Sequence, residues 1–253
     1  MTDVSTSQTG RIALVTGASR GIGRACALGL AKAGAQVIAC GRSKASLEEL
    51  DDEVFAATGQ HATLIPFDIT DGDAFDRLAA ALFERFGRID TLVHAAAILG
   101  TLMPVTHHDP KDFEKVVNVN LTATWRMIRA LEPLLRQSTA ARAIFFTTGG
   151  TITHGRAFWG PYGATKAAME SLIRAWADEI EITNIRTAIL APGAMRTRMR
   201  ASAYPGEDPM SLPHPDAIVP LLLDLADPTK VPSLETVDFR RWSQGHGLAA
   251  ATN

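Results

Sequence analysis

Ile12-Ala13-Leu14-Val15-Thr16-Gly17-Ala18-Ser19-Arg20-Gly21-Ile22-Gly23 is an apolar run of strand character that breaks into a glycine-rich turn, and an amphipathic helical pattern follows over 23–33. Glycines at 17, 21 and 23 permit a tight turn, a close approach of backbone to a bound group, and close packing of the following helix on the strand. The first turn of a helix offers unpaired N–H groups and the positive end of its dipole, so this position suits a phosphate. The plain alternative is a structural turn; its place between a first strand and a first helix favours the phosphate reading.

Outward from that unit, strand-like runs at 12–16, 36–40, 63–68, 91–95, 143–148 and 186–190 alternate with helical stretches at 23–33, 44–58, 73–86, 110–137 and 161–181. A last strand is expected at 235–239. Such alternation builds a parallel sheet, and right-handed crossovers put helices on both of its faces. The expected fold is α/β: a single-domain, doubly wound, Rossmann-like parallel sheet over residues 1–253, with 1–10 as a flexible N-terminus. In such sheets ligands sit beyond the carboxyl ends of the strands. There are no internal repeats.

Hydrophobic residues make up 46% of the chain and charged residues 21%, a globular mixture. A formal net charge of -2 leaves no basic footprint for nucleic acid. The short cluster Arg196, Arg198 and Arg200, with Glu207 and Asp208 close behind, reads as a solvated face. Cys26 and Cys40 read as small buried hydrophobes of a reducing compartment, without a disulfide. No apolar run approaches the ~20 residues of a membrane span, and the opening residues lack signal-peptide character. A cytoplasmic protein without membrane or metal partners is expected.

The second strand ends in Ala39-Cys40-Gly41-Arg42. A site for NAD usually offers a carboxylate there to the ribose 2′-hydroxyl, and none is present. The guanidinium of Arg42 matches a 2′-phosphate instead, with Arg20 a second candidate for the same group. The expected cofactor is NADP(H); the alternative is an ordinary surface arginine.

Tyr162-Gly163-Ala164-Thr165-Lys166 puts a phenol and an ammonium about one helical turn, ~5.4 Å, apart on one face. A nearby cation stabilises the phenolate, which is expected to bring the phenol's pKa down from about 10. Tyr162 is then suited to pass a proton to a carbonyl oxygen as hydride reaches the carbon, or to take it back.

With these residues in place, the chain resembles the short-chain dehydrogenase/reductase family over roughly residues 10–200. The motifs are Thr-Gly-x-x-x-Gly-x-Gly at 16–23, Asp68 in Phe67-Asp68-Ile69-Thr70, Asn120 in Val119-Asn120-Leu121, Tyr162 with Lys166, and Pro192-Gly193 followed by Thr197. The resemblance implies that the loop residues Gly17, Ser19, Arg20, Gly21, Ile22 and Gly23 hold the cofactor. It implies adenine contacts from Asp68 and Ile69, backbone contacts from Ala95 and Ala96, and a nicotinamide border of Pro192, Gly193 and Thr197. Lys166 would hold the nicotinamide ribose, and Asn120 would anchor a water that relays protons to Lys166. A homotetramer or homodimer built on the helices at 110–137 and 161–181 is also implied. Asp68 as a turn residue and Asn120 as a satisfied buried amide are the bland alternatives.

Two departures stand out. Where the family has Asn-Asn-Ala-Gly, this chain has His94-Ala95-Ala96-Ala97, and His94 reads better as a satisfied core histidine than as a catalytic one. Thirteen residues before Tyr162, where the family's substrate-orienting serine stands, is Gly149. Thr148 or Thr151 are the candidates for a replacement hydroxyl, although strand alternation turns Thr148 away. Residues 195–215, with Tyr204 and four prolines, are expected to form a substrate lid, and Phe158 and Trp159 are candidate pocket walls.

The leading functional reading is an oxidoreductase moving hydride between NADP(H) and a small carbonyl or alcohol substrate. Its rival is a non-catalytic NADP-binding sensor or scaffold that kept the fold and lost the hydroxyl at Gly149. A sugar-nucleotide epimerase fits less well, since those family members are usually longer and space their glycines differently.

Overall fold

The structure is a computed structural model that describes residues 8–246. Seven strands form one parallel sheet: β1 (Ile12–Thr16), β2 (Gln36–Gly41), β3 (Thr63–Pro66), β4 (Thr91–His94), β5 (Ala141–Phe146), β6 (Ile185–Ala191) and β7 (Val237–Asp238). Their order across the sheet is β3-β2-β1-β4-β5-β6-β7. The chain winds outward in both directions from β1 and β4, and the crevice between those two is where a doubly wound sheet receives ligands.

Ten helices accompany the sheet among the described residues: α1 (Gly21–Lys32), α2 (Lys44–Thr58), α3 (Ala74–Phe86), α4 (Pro110–Val117), α5 (Ala123–Arg136), α6 (Gly149–His154), α7 (Gly160–Glu179), α8 (Arg198–Ala203), α9 (Val219–Ala226) and α10 (Phe239–Gly245). Alternate strand residues face opposite layers. Leu14, Ile38, Leu92 and Phe145 pack with Met127, Leu131 and Ile173 of α5 and α7. Val15, Val37, Val93 and Ile144 pack with Leu30 of α1 and Leu222 of α9 on the other face. Burial on both sides explains why the strands read as continuous apolar runs.

Several expectations from sequence need correction. The strand expected at 143–148 starts at Ala141 and ends at Phe146, because Thr148 already caps α6. The alternation argument that turned Thr148 away therefore does not apply. The single helix expected over 110–137 is interrupted by a π-helical turn at Asn118–Thr122. Helices α6, α8, α9 and α10 were not anticipated. In α9 the apolar residues Leu221, Leu222, Leu223 and Leu225 are all buried and only Pro220 and Asp224 mark an outward side, which leaves little polar pattern to read in sequence. Gly29 of α1 lets the two helices touch, since a Cβ there would lie 2.5 Å from Val219.

The expected flexible stretch 1–10 is corrected at its end, while residues 1–7 lie outside those described. Gln8 is fully buried, its side-chain amide donates to the Ala226 carbonyl at 3.1 Å, and its carbonyl accepts from Arg11 at 3.1 Å. Beside it Asp90 accepts from Ile12 N at 2.9 Å and from Ser138 Oγ at 2.6 Å. This polar network closes the amino end of the sheet, the end away from the crevice.

Phe145 is wholly buried, with its ring edge-on to Trp176 at 6.2 Å. Phe145→Ala leaves a cavity in the layer below the sheet and is expected to cost about 3–5 kcal/mol. Urea unfolding followed by circular dichroism measures this, and a loss under 1 kcal/mol would contradict the packing described.

Candidate active site

The carboxyl ends of the strands open into a cleft of about 1480 Å³. Its first wall is the turn between β1 and α1. Gly17 has φ +69°, and a Cβ there would come within 2.9 Å of Ala96 N. At Gly23 a Cβ would lie 2.2 Å from the Gly17 carbonyl oxygen, so no side chain fits. Gly21 has φ +56° and sits under the Thr197 methyl. These contacts leave bare backbone lining the start of α1, a cradle of the size and polarity that a pyrophosphate needs.

Ser19, Arg20 and Ile22 line the same wall, and Arg42 follows at the end of β2. Both Arg20 and Arg42 are exposed, and neither guanidinium has a hydrogen-bond or ion-pair partner among the described residues. Asp68 and Ile69 follow β3; Asp68 Oδ1 accepts from Thr70 N at 2.9 Å and Thr70 Oγ1 at 2.8 Å. Those bonds, with the Arg42 charge, hold the Asp68 carboxyl below its usual pKa. Ala95 and Ala96 after β4, and Pro192, Gly193 and Thr197 after β6, complete this part of the cleft. Thr197 also caps α8, its hydroxyl accepting from Arg200 N at 3.2 Å.

Tyr162 and Lys166 reach the cleft from α7, whose start is set by Pro161 in its first turn. Both are buried. Lys166 Nζ donates to the Phe146 carbonyl at 2.7 Å, which ties the end of β5 to the helix. Burial brings the ammonium's pKa down to about 8, with nearby Glu170 opposing. Burial also pushes the Tyr162 phenol up to about 12. The phenol's pKa is thus raised rather than lowered as expected from Lys166, because burial disfavours the phenolate, and Tyr162 is protonated at neutral pH.

Asn120 lies behind the cleft in the π-helical turn. Its Oδ1 accepts from Ile98 N at 2.9 Å, and its Nδ2 donates to Ile98 O at 2.9 Å and Thr165 Oγ1 at 3.2 Å. Both amide protons are therefore engaged, so the side chain has none left to donate to a relay, and the main-chain carbonyl is a further acceptor. That carbonyl accepts from Thr124 Oγ1 at 2.9 Å.

His94 is the satisfied core histidine of the bland reading. Thr124 spends its one proton on Asn120, so at 3.1 Å it must accept from His94 Nε2. Nδ1 is then the acceptor for Thr16 Oγ1 at 3.0 Å, and Thr16 in turn accepts from Ala96 N at 3.3 Å. One directed chain thus runs from the Ala96 amide to the Asn120 carbonyl.

At the substrate side, Trp159 lies edge-on to Tyr162 at 5.8 Å and tilted against Tyr204 at 6.0 Å. Phe158 does not join this wall; it is 53% exposed and strained at φ +73°. The segment 195–215 contains α8 rather than being a plain loop, and of the three arginines expected as a solvated cluster only Arg198 is exposed, while Arg196 and Arg200 are tied within the segment. Arg196 donates to the carbonyls of Pro209 and Leu212, at 2.9 and 3.2 Å. Arg200 makes two 2.6 Å bonds to Glu207 and lies 3.7 Å from the Tyr204 ring centre. Asp238 and Arg156 are among the further groups on the cleft that sequence reasoning missed, with His214, Asp216 and Arg240. Asp238 was hidden in a two-residue strand, and Arg156, before α7, carried no motif.

The short chain dehydrogenase family model matches residues 11–208, and the chain belongs to that family. It is 38% identical over 215 residues to the uncharacterized oxidoreductase YciK of Escherichia coli K12, with 84% of each chain covered. Among solved structures, a short chain dehydrogenase of Shigella flexneri complexed with NADP superposes with a TM-score of 0.89 at 35% identity, covering 93% of this chain and 99% of that one. One of Escherichia coli complexed with NADPH gives 0.88 at 35%, with 93% and 99% covered.

Burial and the Lys166 charge hold the His94 pKa down at about 3, against 6.5 in an open chain. Between those values the unfolded chain binds the extra proton, so this group's stabilisation is full above pH 6.5 and is lost as the pH falls toward 3. His94→Gln is expected to shrink the drop in urea midpoint between about pH 7 and about pH 5. An equal drop in both proteins would contradict a buried neutral imidazole.

Proposed function

We propose that this chain is an NADP(H)-dependent oxidoreductase acting on a carbonyl or alcohol substrate. The observation that carries the reading is convergence: a phosphate-sized backbone cradle, an unpaired guanidinium after β2, and a buried Tyr162 and Lys166 all border one cleft. The NADP and NADPH complexes of the related structures support the same cofactor. Gly17, Ser19, Arg20, Gly21, Ile22 and Gly23 would hold the pyrophosphate, Arg42 and Arg20 the 2′-phosphate, and Asp68 and Ile69 the adenine. Ala95, Ala96, Pro192, Gly193 and Thr197 would border the nicotinamide, with Lys166 on its ribose. The cofactor supplies or accepts the hydride.

Tyr162 is the proton donor in reduction and the acceptor in oxidation. A phenol that is protonated at neutral pH is already in the form that reduction requires. Lys166, pinned on the Phe146 carbonyl, keeps a positive charge one turn away that stabilises the phenolate left behind. Asn120 fixes the chain at Ile98 and presents its carbonyl toward a proton relay. Thr148 or Thr151, whose hydroxyls lie 3.5 Å apart on the cleft, would stand in for the hydroxyl missing at Gly149.

A second reading, the non-catalytic NADP-binding sensor or scaffold, is favoured by Gly149 alone. Tyr162→Phe separates the two: turnover of carbonyl substrates is expected to fall about 10²–10⁴-fold with NADPH binding retained. Absence of any Tyr162-dependent reduction across ketones and aldehydes would leave the binding protein. Arg42→Ala is expected to weaken NADPH binding about tenfold or more and NADH binding far less; equal losses would remove the 2′-phosphate assignment.

We also propose a homodimer or homotetramer in the cytoplasm. Trp125 on α5 is 45% exposed, and Ala164 and Ala175 form an exposed small-residue line on α7. Light scattering at micromolar concentration is expected to give a multiple of the chain mass; a monomer would refute this.

A further inference from the structure

The vacancy at Gly149 faces a charged group from another strand. Gly149 opens α6, and a Cβ built on it meets only Asp238 Oδ2 at 3.8 Å and Ala191 Cβ at 4.0 Å. Asp238 belongs to β7, which pairs with Leu190 and Ala191 at the end of β6. It also caps α10: its Oδ1 accepts from Arg241 N at 3.0 Å. That bond fixes the carboxylate, while Oδ2 has no hydrogen-bond partner among the described residues. Asp238 and Gly149 line the same cleft as Tyr162.

A carboxylate cannot do what a serine hydroxyl does. The hydroxyl donates to a carbonyl oxygen, whereas an ionised carboxylate only accepts and repels the carbonyl's lone pairs. A group that sits well against Oδ2 must itself carry an O–H or N–H. Space for it exists because position 149 has no side chain.

We propose that Asp238 is a substrate-binding residue whose Oδ2 accepts a hydrogen bond from a hydroxyl on the carbon next to the reacting carbonyl, so that the substrates are α-hydroxy ketones or aldehydes. This rests on the oxidoreductase reading above. In reduction the carbonyl carbon gains the hydride, its oxygen gains the Tyr162 proton, and the neighbouring hydroxyl stays bound to Asp238 unchanged. The product is a vicinal diol, with NADP⁺ as the oxidised partner. In the reverse direction the diol loses the same hydride and proton.

The test compares 2-hydroxyacetophenone with 2-methoxyacetophenone, which keeps the electron-withdrawing oxygen and removes the donor. With NADPH, kcat/KM for the hydroxy ketone is expected to exceed that for the methoxy ketone by about 10–100-fold, the worth of one hydrogen bond to a charged group. Asp238→Asn keeps the cap on α10 through its carbonyl oxygen and presents an N–H₂ instead, so the ratio is expected to fall to about one or invert. Gly149→Ser combined with Asp238→Asn is expected to move preference further toward the methoxy ketone. A wild-type ratio near one, or a ratio unchanged in the Asp238→Asn protein, overturns the assignment even while Tyr162-dependent reduction stands. If no ketone is turned over, the oxidoreductase reading fails, and calorimetric titration of the NADPH-loaded protein with the two ketones decides on Asp238. Tighter binding of the hydroxy ketone that is lost in Asp238→Asn supports it, and equal binding overturns it.

Discussion

Backbone packed directly on backbone at Gly17 and Gly23 sets the geometry of the whole ligand edge. With a hypothetical Cβ only 2.2 Å from the Gly17 carbonyl, Gly23 lets α1 begin immediately over the end of β1. With Ala96 N only 2.9 Å from the Cβ position of Gly17, the β1 turn and the β4 exit are seated against each other. The closeness of the β1 and β4 exits and the placement of the α1 amino end over the cleft follow from these two contacts. A methyl group at either place would have to push the strands' exits apart.

Directly behind that edge β1, β4 and the π-helical turn are joined by a chain of neutral polar groups. The chain from Ala96 through Thr16, His94 and Thr124 to Asn120 spans β1, β4 and the π-helical turn, and each member has its proton direction fixed by the next. A fully satisfied network of this kind avoids the cost of an unpaired buried donor. It also explains how His94 is tolerated at the centre of the fold: Lys166 is close enough to oppose its protonation, and both ring nitrogens are occupied. The two residues divide the work, the imidazole neutral and structural, the ammonium charged and facing the cleft.

The reacting end combines an apolar enclosure with sparse polar groups. Trp159 packs edge-on to Tyr162 and against Tyr204, and Arg200, paired with Glu207, lies over the Tyr204 ring. Low local polarity raises the Tyr162 pKa and lowers that of Lys166, which makes each sensitive to what binds beside it.

Much of this was legible in the chain itself. The strand-turn-helix at 12–33, the apolar runs of β2 to β6, the glycine loop, Arg42 and the Tyr162–Lys166 spacing are local patterns whose physics acts within a few residues. What tertiary structure decided lies in pairs far apart in sequence. Helix α9 buries nearly all of its residues and so shows little polar pattern, β7 is only two residues long, and the strand before Gly149 ends two residues earlier than its composition suggests. Whether Lys166 or desolvation sets the Tyr162 pKa depends on how deeply α7 is buried, which no spacing reports. The placement of Asp238 beside Gly149 is of the same kind: 89 residues separate them in the chain, and only the pairing of β7 with β6 brings the carboxylate to the space the missing side chain leaves.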